Sequence, residues 1–215
     1  MLVKERMTHN PVTVSPDTPV SDALNLMRQH NVRRMPVLDR KDHLVGIIAE
    51  KDLLYASPSP ATSLNVYEIG YLLSKLKIKE IMSEDVITVT ENAPLEEAAR
   101  IMADNAISGL PVMRDRELVG IITETDIFKA MLEMMGARDE GVRITIRVHD
   151  EPGALSRIAG AIADIGGDIV ALGTFYSDEQ SHHGTLVVKV RGVNEDILVT
   201  AMKEIDARVL DLRVP

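Results

Sequence analysis

The chain has 215 residues, of which 45% are apolar, and its 24 basic and 33 acidic side chains leave a formal net charge of -9. This length and apolar content suffice for one large or two smaller cores, which argues against intrinsic disorder. The acidic balance, together with the absence of Trp and the presence of only two Phe and four Tyr, disfavours nucleic-acid binding, which needs clustered cations and stacking side chains. Cysteine is absent, so disulfides, cysteine nucleophiles and cysteine-based metal sites are excluded.

No stretch of the sequence approaches the ~20 apolar residues that span a bilayer. The N-terminal sequence MLVKERMTHN lacks the apolar segment of a signal peptide. We therefore expect a cytoplasmic protein.

The first 135 or so residues contain one unit twice. A shift of 75 residues aligns VRRMPVL with ISGLPVM near its end, and a shift of 74 then aligns LVGIIAEKD with LVGIITETD. Each unit predicts the order strand, helix, strand, strand, helix, because a Thr-Val strand precedes an i, i+3, i+4, i+7 apolar pattern beginning at Val20. Strands are predicted at Met35–Leu38 and Leu44–Ile48, and second helices near Asp52 and Asp126.

One such unit of ~50 residues buries too little surface to be robust alone, so the two units are expected to pack together. Between them, apolar residues at helical spacing predict an amphipathic connector helix. These residues are Val66, Ile69, Leu72, Leu73 and Leu76.

The repeat disappears after Gly136, and a different pattern follows. VRITIRV alternates as a strand, PGALSRIAGAIADIG has helical spacing, and DIVALGTFY and GTLVVKVRG read as strands. A helix near Glu195–Ile205 and a strand at Arg208–Val214 complete the order strand, helix, strand, strand, helix, strand. That order is the ferredoxin-like arrangement, so the predicted fold class is α/β (α+β).

The repeated units, with MPV and LPV on a strand and GIIAEKD and GIITETD at a strand-to-helix junction, resemble a tandem pair of CBS domains, or Bateman module. DEPGAL and GGDI resemble an ACT domain, a small regulatory fold that usually binds amino acids. The whole arrangement, with ASPSPAT after the first repeat, resembles the AcuB family, which implies a role in acetoin or butanediol catabolism. The implied domains are CBS domain 1 at 1–56, a helical connector at 57–77, CBS domain 2 at 78–136 and the ACT domain at 142–215.

Thr123 and Asp126 admit two interpretations. Their spacing matches a helix-capping signature. The resemblance to CBS domains implies instead that Asp126 accepts hydrogen bonds from ribose hydroxyls, while Thr123 and the helix N-terminus face a phosphate. The first repeat has Ala49 and Asp52 at the equivalent positions, so it lacks the hydroxyl.

In CBS pairs each nucleotide cleft combines strand residues of one repeat with the helix start of the other. Arginines on a strand are usually just solvated, but in such a cleft Arg33 and Arg34 would suit bidentate phosphate contact. The first predicted cleft, for AMP, ADP or ATP, contains Thr18, Ala23, Arg33, Arg34, Thr123, Glu124, Thr125 and Asp126. The second and weaker cleft contains residues 49–52, from Ala49 to Asp52, together with Ala93, Ala98, Ser108 and Gly109.

The distribution of charge agrees with this asymmetry. Residues 1–53 hold eight basic and seven acidic side chains, net +1, whereas residues 78–140 hold six and fourteen, net -8. We therefore expect one competent nucleotide site. Thr18 followed by Pro19 also matches an N-cap and first-turn pair.

The resemblance to ACT domains marks a second candidate site. Carboxylates there would hold an ammonium group but repel the carboxylate of an amino acid, so amino-acid binding and pure dimerisation stay open. As a purely structural alternative, the loop is a tight strand-to-helix connection with Pro152 in the first turn. The candidate ligand contacts are Asp150, Glu151, Gly153, Ala154 and Asp168, and the resemblance implies that Asp168 is contributed by a partner subunit.

The sequence predicts a binding protein and not an enzyme. No nucleophile–base pair, metal triad or Walker-type phosphate loop is visible. His182 and His183 lie in a polar turn where neighbouring side chains diverge, so no metal is predicted. The first hypothesis is a homodimeric regulator that senses adenine nucleotides and acts on an unknown protein. The alternatives are an oligomerisation scaffold with an amino-acid-sensing ACT domain, and a subunit of a hydrolase or deacetylase.

Overall fold

Two compact units, Met1–Ile127 and Phe128–Pro215, make up the computed structural model of the chain. The structure describes residues 1–56, 65, 68, 71, 74–175 and 183–214. Four of the five apolar residues of the predicted connector helix lie outside these ranges, and the fifth, Leu76, lies within them. Across the described ranges, every helix is too short or too polar to traverse a lipid bilayer.

The first repeat forms the predicted strands and helices, apart from small differences at their ends and the loss of its first strand. Met35–Leu38 and Leu44–Ile48 are extended by a residue each, and the second helix begins two residues before Asp52. The predicted Thr-Val strand is reduced to a single bridge from Val14 to Val37. The elements are a 3-10 turn at Val3–Glu5, β1 at Thr8–His9, α1 at Val20–His30, β2 at Arg34–Leu38, β3 at Leu44–Ala49 and α2 at Glu50–Tyr55.

The second repeat follows the same order, which confirms the repeat at the level of structure. Its Thr-Val strand is formed and pairs in parallel with the next strand, and its last helix begins two residues before Asp126. The elements are a 3-10 turn at Ile78–Glu80, β4 at Val89–Thr90, α3 at Leu95–Asp104, β5 at Gly109–Arg114, β6 at Glu117–Thr123 and α4 at Glu124–Met134.

The start of α1 differs from the predicted cap. Thr18 is not the N-cap: Pro19 holds that position in extended conformation, and the helix begins at Val20. The Thr18 hydroxyl accepts a hydrogen bond from the Ser15 amide at 3.1 Å instead. The predicted apolar face is confirmed, since Val20, Ala23 and Met27 are buried.

The two repeats exchange their leading segments. β1 of the first repeat pairs antiparallel with β6 of the second, with Thr8 opposite Ile121. In return, Ile47 of β3 forms a bridge with Ser83 of the second repeat. Ile78, at the start of the second repeat, is fully buried in the core of the first. Each repeat therefore completes its sheet or core with residues of the other.

The second unit has the predicted ferredoxin-like topology. Its sheet is antiparallel throughout, in the order β10-β7-β9-β8. One face of the sheet packs on both helices, with Ile144, Ile158 and Leu198 buried at the centre of the core. The elements are β7 at Val142–His149, α5 at Ala154–Asp164, β8 at Asp168–Phe175, β9 at His183–Arg191, α6 at Glu195–Glu204 and β10 at Arg208–Arg213.

Replacing Ile78 by alanine tests the exchange between the repeats. Because Ile78 is 0% exposed and packs in the other repeat's core, we expect the free energy of unfolding to fall by about 2–5 kcal/mol, as for other buried Ile or Leu truncations. Urea unfolding followed by circular dichroism measures the change. Ile87→Ala is the control, since Ile87 is 39% exposed, and its effect should stay near 0.5 kcal/mol. Equal losses for the two variants would contradict the exchange.

Candidate functional site

A cleft of about 340 Å³ opens between the two repeats of the first unit. Both hairpins end here, because Arg34 at the start of β2 pairs with Ala49 at the end of β3, and Gly109 pairs with Thr123 in the same way. The first turns of α2 and α4 follow directly. The cleft is lined by Arg33, Arg34, Ala49, Glu50, Lys51, Ser108, Glu124 and Thr125.

Arg34 crosses from one repeat to the other inside this cleft. Its Nη2 donates a hydrogen bond to Ser108 Oγ. Gly109 leaves room for the side chain, since a Cβ there would lie 3.1 Å from Arg34 Cδ. Burial, followed by the neighbouring Arg33, lowers the pKa of the Arg34 guanidinium, and Glu124 and Asp52 oppose the shift. Because an arginine stays charged in spite of such a shift, a partly desolvated cation lies between the repeats.

The carboxylates at the helix starts fold back as caps. Asp126 Oδ2 accepts hydrogen bonds from the Thr123 amide at 2.9 Å and from its hydroxyl at 2.7 Å. Asp52 Oδ2 accepts one from the Ala49 amide at 2.9 Å. The capping interpretation therefore describes both sites, and only the second repeat adds a side-chain bond to the cap.

The residues that line the cleft carry more positive than negative charge, in an acidic protein. Arg33, Arg34 and Lys51 supply three cations against the carboxylates of Glu50 and Glu124. Two further carboxylates, Asp52 and Asp126, lie beside the lining and accept hydrogen bonds from backbone amides. The sequence analysis placed Lys51 in the second predicted cleft, at the position equivalent to Thr125. The two helix starts occupy equivalent positions in the repeats and face the same cleft.

Four residues of the first predicted cleft line this opening: Arg33, Arg34, Glu124 and Thr125. Thr123 and Asp126 are half-buried beside it, at the start of α4. The other two residues lie elsewhere. Thr18 contacts the start of the second repeat, its carbonyl accepting from the Ile78 amide at 3.0 Å, and Ala23 is fully buried in the core.

Residues of the second predicted cleft face the same opening. Ala49 and Ser108 line it, Gly109 is buried beside Arg34, and Asp52 caps α2. Ala93 and Ala98 are core residues, 7% and 0% exposed. The structure thus joins parts of two predicted sets around one cleft, with the Arg34–Ser108 hydrogen bond as the link between them.

A second cavity, of about 180 Å³, lies in the ACT-like unit. Four of the five predicted contacts, Asp150, Glu151, Gly153 and Ala154, line it. The fifth, Asp168, forms an ion pair with Arg191 at 2.5 Å and is not among the lining residues.

The loop at this cavity is built differently from its predicted form. Pro152 is not in the first turn of α5, because Gly153 adopts a left-handed conformation with φ of +90° and acts as N-cap. This backbone conformation favours glycine, and the helix therefore starts at Ala154.

His183 lies opposite His149 in the sheet, with ring centroids 4.4 Å apart. His182 falls outside the described residues. Within the described ranges, no cluster of three or more His, Asp or Glu side chains is arranged to hold a metal ion.

Family models match both parts of the chain. The model described as CBS domain matches residues 3–59 and 78–133, which together cover about half of the chain. The model described as TTHA0829-like ACT domain matches residues 140–213.

Solved structures resemble the CBS pair. The CBS pair of protein MJ0100, in complex with 5-methylthioadenosine and S-adenosyl-L-methionine, is 32% identical with a TM-score of 0.51, covering 61% of this chain and 95% of that one. CBSX2 in complex with AMP is 31% identical with a TM-score of 0.50, covering 61% and 96%. A Vibrio cholerae chain provisionally assigned to acetoin utilization (AcuB) is 32% identical with a TM-score of 0.51, covering 61% and 90%.

One curated relative is much longer than this chain. The inosine-5'-monophosphate dehydrogenase of Methanocaldococcus jannaschii is 30% identical over 193 residues, which cover 89% of this chain but 35% of the relative. The chain thus spans about a third of that enzyme's length. On the match to both repeats, the chain belongs to the CBS-domain family, with an ACT domain following the CBS pair.

Proposed function

We propose that the CBS pair is a regulatory module that binds one adenine nucleotide in the cleft between its repeats. The convergence of Arg33, Arg34 and Lys51 on this cleft carries the proposal. The complexes of MJ0100 with 5-methylthioadenosine and S-adenosyl-L-methionine, and of CBSX2 with AMP, support an adenosine ligand.

The charges of the cleft favour a phosphorylated ligand. Guanidinium groups bind phosphate oxygens bidentately, and Arg34 is partly desolvated, which strengthens its attraction for an anion. 5-Methylthioadenosine is uncharged at the sulfur, and S-adenosyl-L-methionine carries a positive sulfonium there. We therefore assign AMP, ADP or ATP to this chain in preference to either.

Asp126 and Thr123 complete the proposed site. A carboxylate has about four acceptor positions, so Asp126 can keep its cap and still accept from ribose hydroxyls. Thr123 and the first-turn amides of α4, an 11-residue helix, would face the phosphate. Thr18 and Ala23 lie outside the cleft lining, and we give them no ligand contact.

The second predicted cleft is proposed to bind nucleotide weakly, for two reasons. Ala49 supplies no hydroxyl at the cap of Asp52. Ser108, the equivalent of Arg33, already accepts a hydrogen bond from Arg34. A second nucleotide would have to displace that arginine without gaining a guanidinium in return.

Helix α4 is the element that would couple nucleotide binding in the cleft to the ACT domain. It begins at the cleft and continues across the boundary between the units at Ile127 and Phe128. Beyond its end, the Gly136 carbonyl accepts a hydrogen bond from Lys189 Nζ of the ACT sheet at 2.9 Å. Suppose that α4 can adopt two placements and that the nucleotide binds them with different affinity. Nucleotide binding would then shift the ACT domain between two states.

The proposed role is regulatory and non-catalytic, in the cytoplasm, on a protein not yet identified. Similarity to the Vibrio cholerae chain supports acetoin utilization as the regulated process, and the resemblance to the AcuB family adds butanediol catabolism as a second candidate. In the ACT cavity, the carboxylates of Asp150 and Glu151 support an ammonium-bearing ligand such as an amino acid.

Calorimetric titration with AMP tests the ligand. We expect one site per chain, with 5-methylthioadenosine binding more weakly because it has no phosphate. Arg34→Ala removes hydrogen bonds to a charged group, worth about 1.5–3 kcal/mol, so affinity should fall roughly 10- to 100-fold. Arg40→Ala is the matched control, since Arg40 is exposed in the turn after β2. Equal affinity for both ligands, or equal loss in both variants, would refute a phosphate site.

A reciprocal pair of variants separates capping from binding. Thr123→Ala removes the hydroxyl bond to Asp126, and Ala49→Thr offers the same bond to Asp52. We expect stability to change by about 1 kcal/mol, downward in the first variant and upward in the second. Thermal unfolding gives stability and calorimetry gives affinity. If Thr123→Ala lowers stability but leaves AMP affinity unchanged, the residue is a cap alone.

Solution scattering with and without saturating AMP tests the switch. We expect the distance distribution of the wild-type protein to change on binding, because the ligand contacts the first turn of α4. Asp126→Ala, at the same AMP concentration, should not change. An unaltered distribution in a wild-type sample shown by calorimetry to be saturated would favour the scaffold alternative.

A further inference from the structure

The outer face of the ACT sheet, which points away from α5 and α6, concentrates the basic residues of its domain. The apolar positions of β7 face the core, so the positions between them face outward. Six of the eight Lys and Arg in residues 141–215 lie on this outer face. They are Arg143, Arg147, Lys189, Arg191, Arg208 and Arg213.

Several of these cations are direct cross-strand neighbours. Arg208 lies opposite Arg147, and Arg143 lies between Arg213 on one side and Lys189 on the other. Like charges in such positions destabilise a sheet. Solvation alone does not require like charges at neighbouring positions, because a face with both positive and negative side chains is equally polar.

Acidic side chains offset only part of this charge. Asp211 accepts from Arg213 at 3.0 Å and from Arg143 at 3.4 Å, and Asp168 pairs with Arg191. Arg147 and Arg208 are exposed. Among the described residues, these two arginines have no acidic partner within ion-pair distance.

The chain itself covers one half of the face. The segment after α4 packs on β8 and β9, where Lys189 bonds the Gly136 carbonyl and a Cβ at Gly136 would lie 3.1 Å from Ala171 Cβ. That segment leaves the half formed by β10 and β7 uncovered, and we call this half the open half because its arginines are exposed. Its arginines are Arg143, Arg147, Arg208 and Arg213.

Acidic protein surfaces fit this open half better than nucleic acid does. Sheets that bind single strands stack bases on aromatic side chains of the central strands. The described outward positions at the centre of β7 and β9 hold Thr145, Thr185 and Val187 instead. Arginine forks bind carboxylates bidentately, and residues 78–140 of this same chain carry a net charge of -8.

We propose that the open β10–β7 face binds the acidic second CBS repeat of another copy of the chain. Glu96 and Glu97, exposed in the first turn of α3, are available acceptors on that repeat. In a two-fold dimer the contact forms twice, because each copy supplies both surfaces. The proposal does not depend on nucleotide binding.

Sedimentation equilibrium of the full chain, without nucleotide, tests the proposal. We expect dimers at about 0.02 M NaCl and an affinity at least about tenfold weaker at 0.5 M, since exposed charges are screened over a few ångströms there. Arg208→Glu should weaken the dimer about tenfold or more. That variant places a carboxylate opposite Arg147, which favours the sheet, so its melting temperature should not fall. Lys203→Glu, an equal charge change on α6, should leave the dimer unchanged.

Complementation tests the pairing of the two surfaces. Arg208→Glu/Arg213→Glu lacks the basic face, and Glu96→Lys/Glu97→Lys lacks the acidic patch. Each should be monomeric alone, whereas their mixture should associate, because the intact face of one meets the intact patch of the other. A monomeric wild-type protein at low salt, a dimer insensitive to Arg208→Glu, or a mixture that stays monomeric would overturn the proposal. So would a monomer whose face binds a single-stranded oligonucleotide.

Discussion

Neither CBS repeat completes its structure with its own residues, and the site depends on this constraint. Ile78 belongs to the second repeat in sequence and to the first in packing, while β1 of the first repeat extends the sheet of the second. Because both exchanges act between the same two repeats, the hairpins β2–β3 and β5–β6 end at one place. The cleft therefore forms where the two hairpins meet.

The repeat also explains why the cleft is asymmetric. Equivalent positions face each other across it, so each difference between the repeats becomes a difference between its two walls. Arg34 faces the region of its own equivalent, Gly109, and the missing side chain there is what lets the guanidinium cross. Thr123 adds a hydroxyl to its cap where Ala49 cannot. The first repeat thus supplies the arginine, and the second supplies both the space that admits it and the extra hydroxyl at the cap.

Periodicity predicted most of the fold, because the signals involved are local. The apolar spacing of α1 and the alternation of β7 each report which side of the element is buried. The prediction that Thr18 is the N-cap of α1 was wrong because of a tertiary contact. The Ile78 amide donates a hydrogen bond to the Thr18 carbonyl and holds this segment in place. A cap is read from four consecutive residues, and this contact comes from sixty residues away.

The site was less predictable than the fold, because it depends on contacts across the repeat. Alignment identified Arg33 and Arg34 as the difference between the repeats, and both line the cleft. It assigned Ser108 to a separate cleft, since no sequence pattern reveals that the Arg34 side chain reaches across. Lys51 was assigned to that second cleft for a related reason: the sequence does not show that both helix starts share one opening.

The net charge of -9 conceals two positive surfaces that differ in their exposure. Arg34 is half-buried in the cleft and held by Ser108, whereas Arg213 on the sheet face has a side chain 74% exposed. Salt screens exposed charges over roughly 10 Å at 0.1 M and buried ones much less. Ionic strength should therefore weaken contacts at the sheet face before those in the cleft. The two surfaces can then respond to different conditions within one chain, because burial, and not the sign of the charge, decides which contact survives salt.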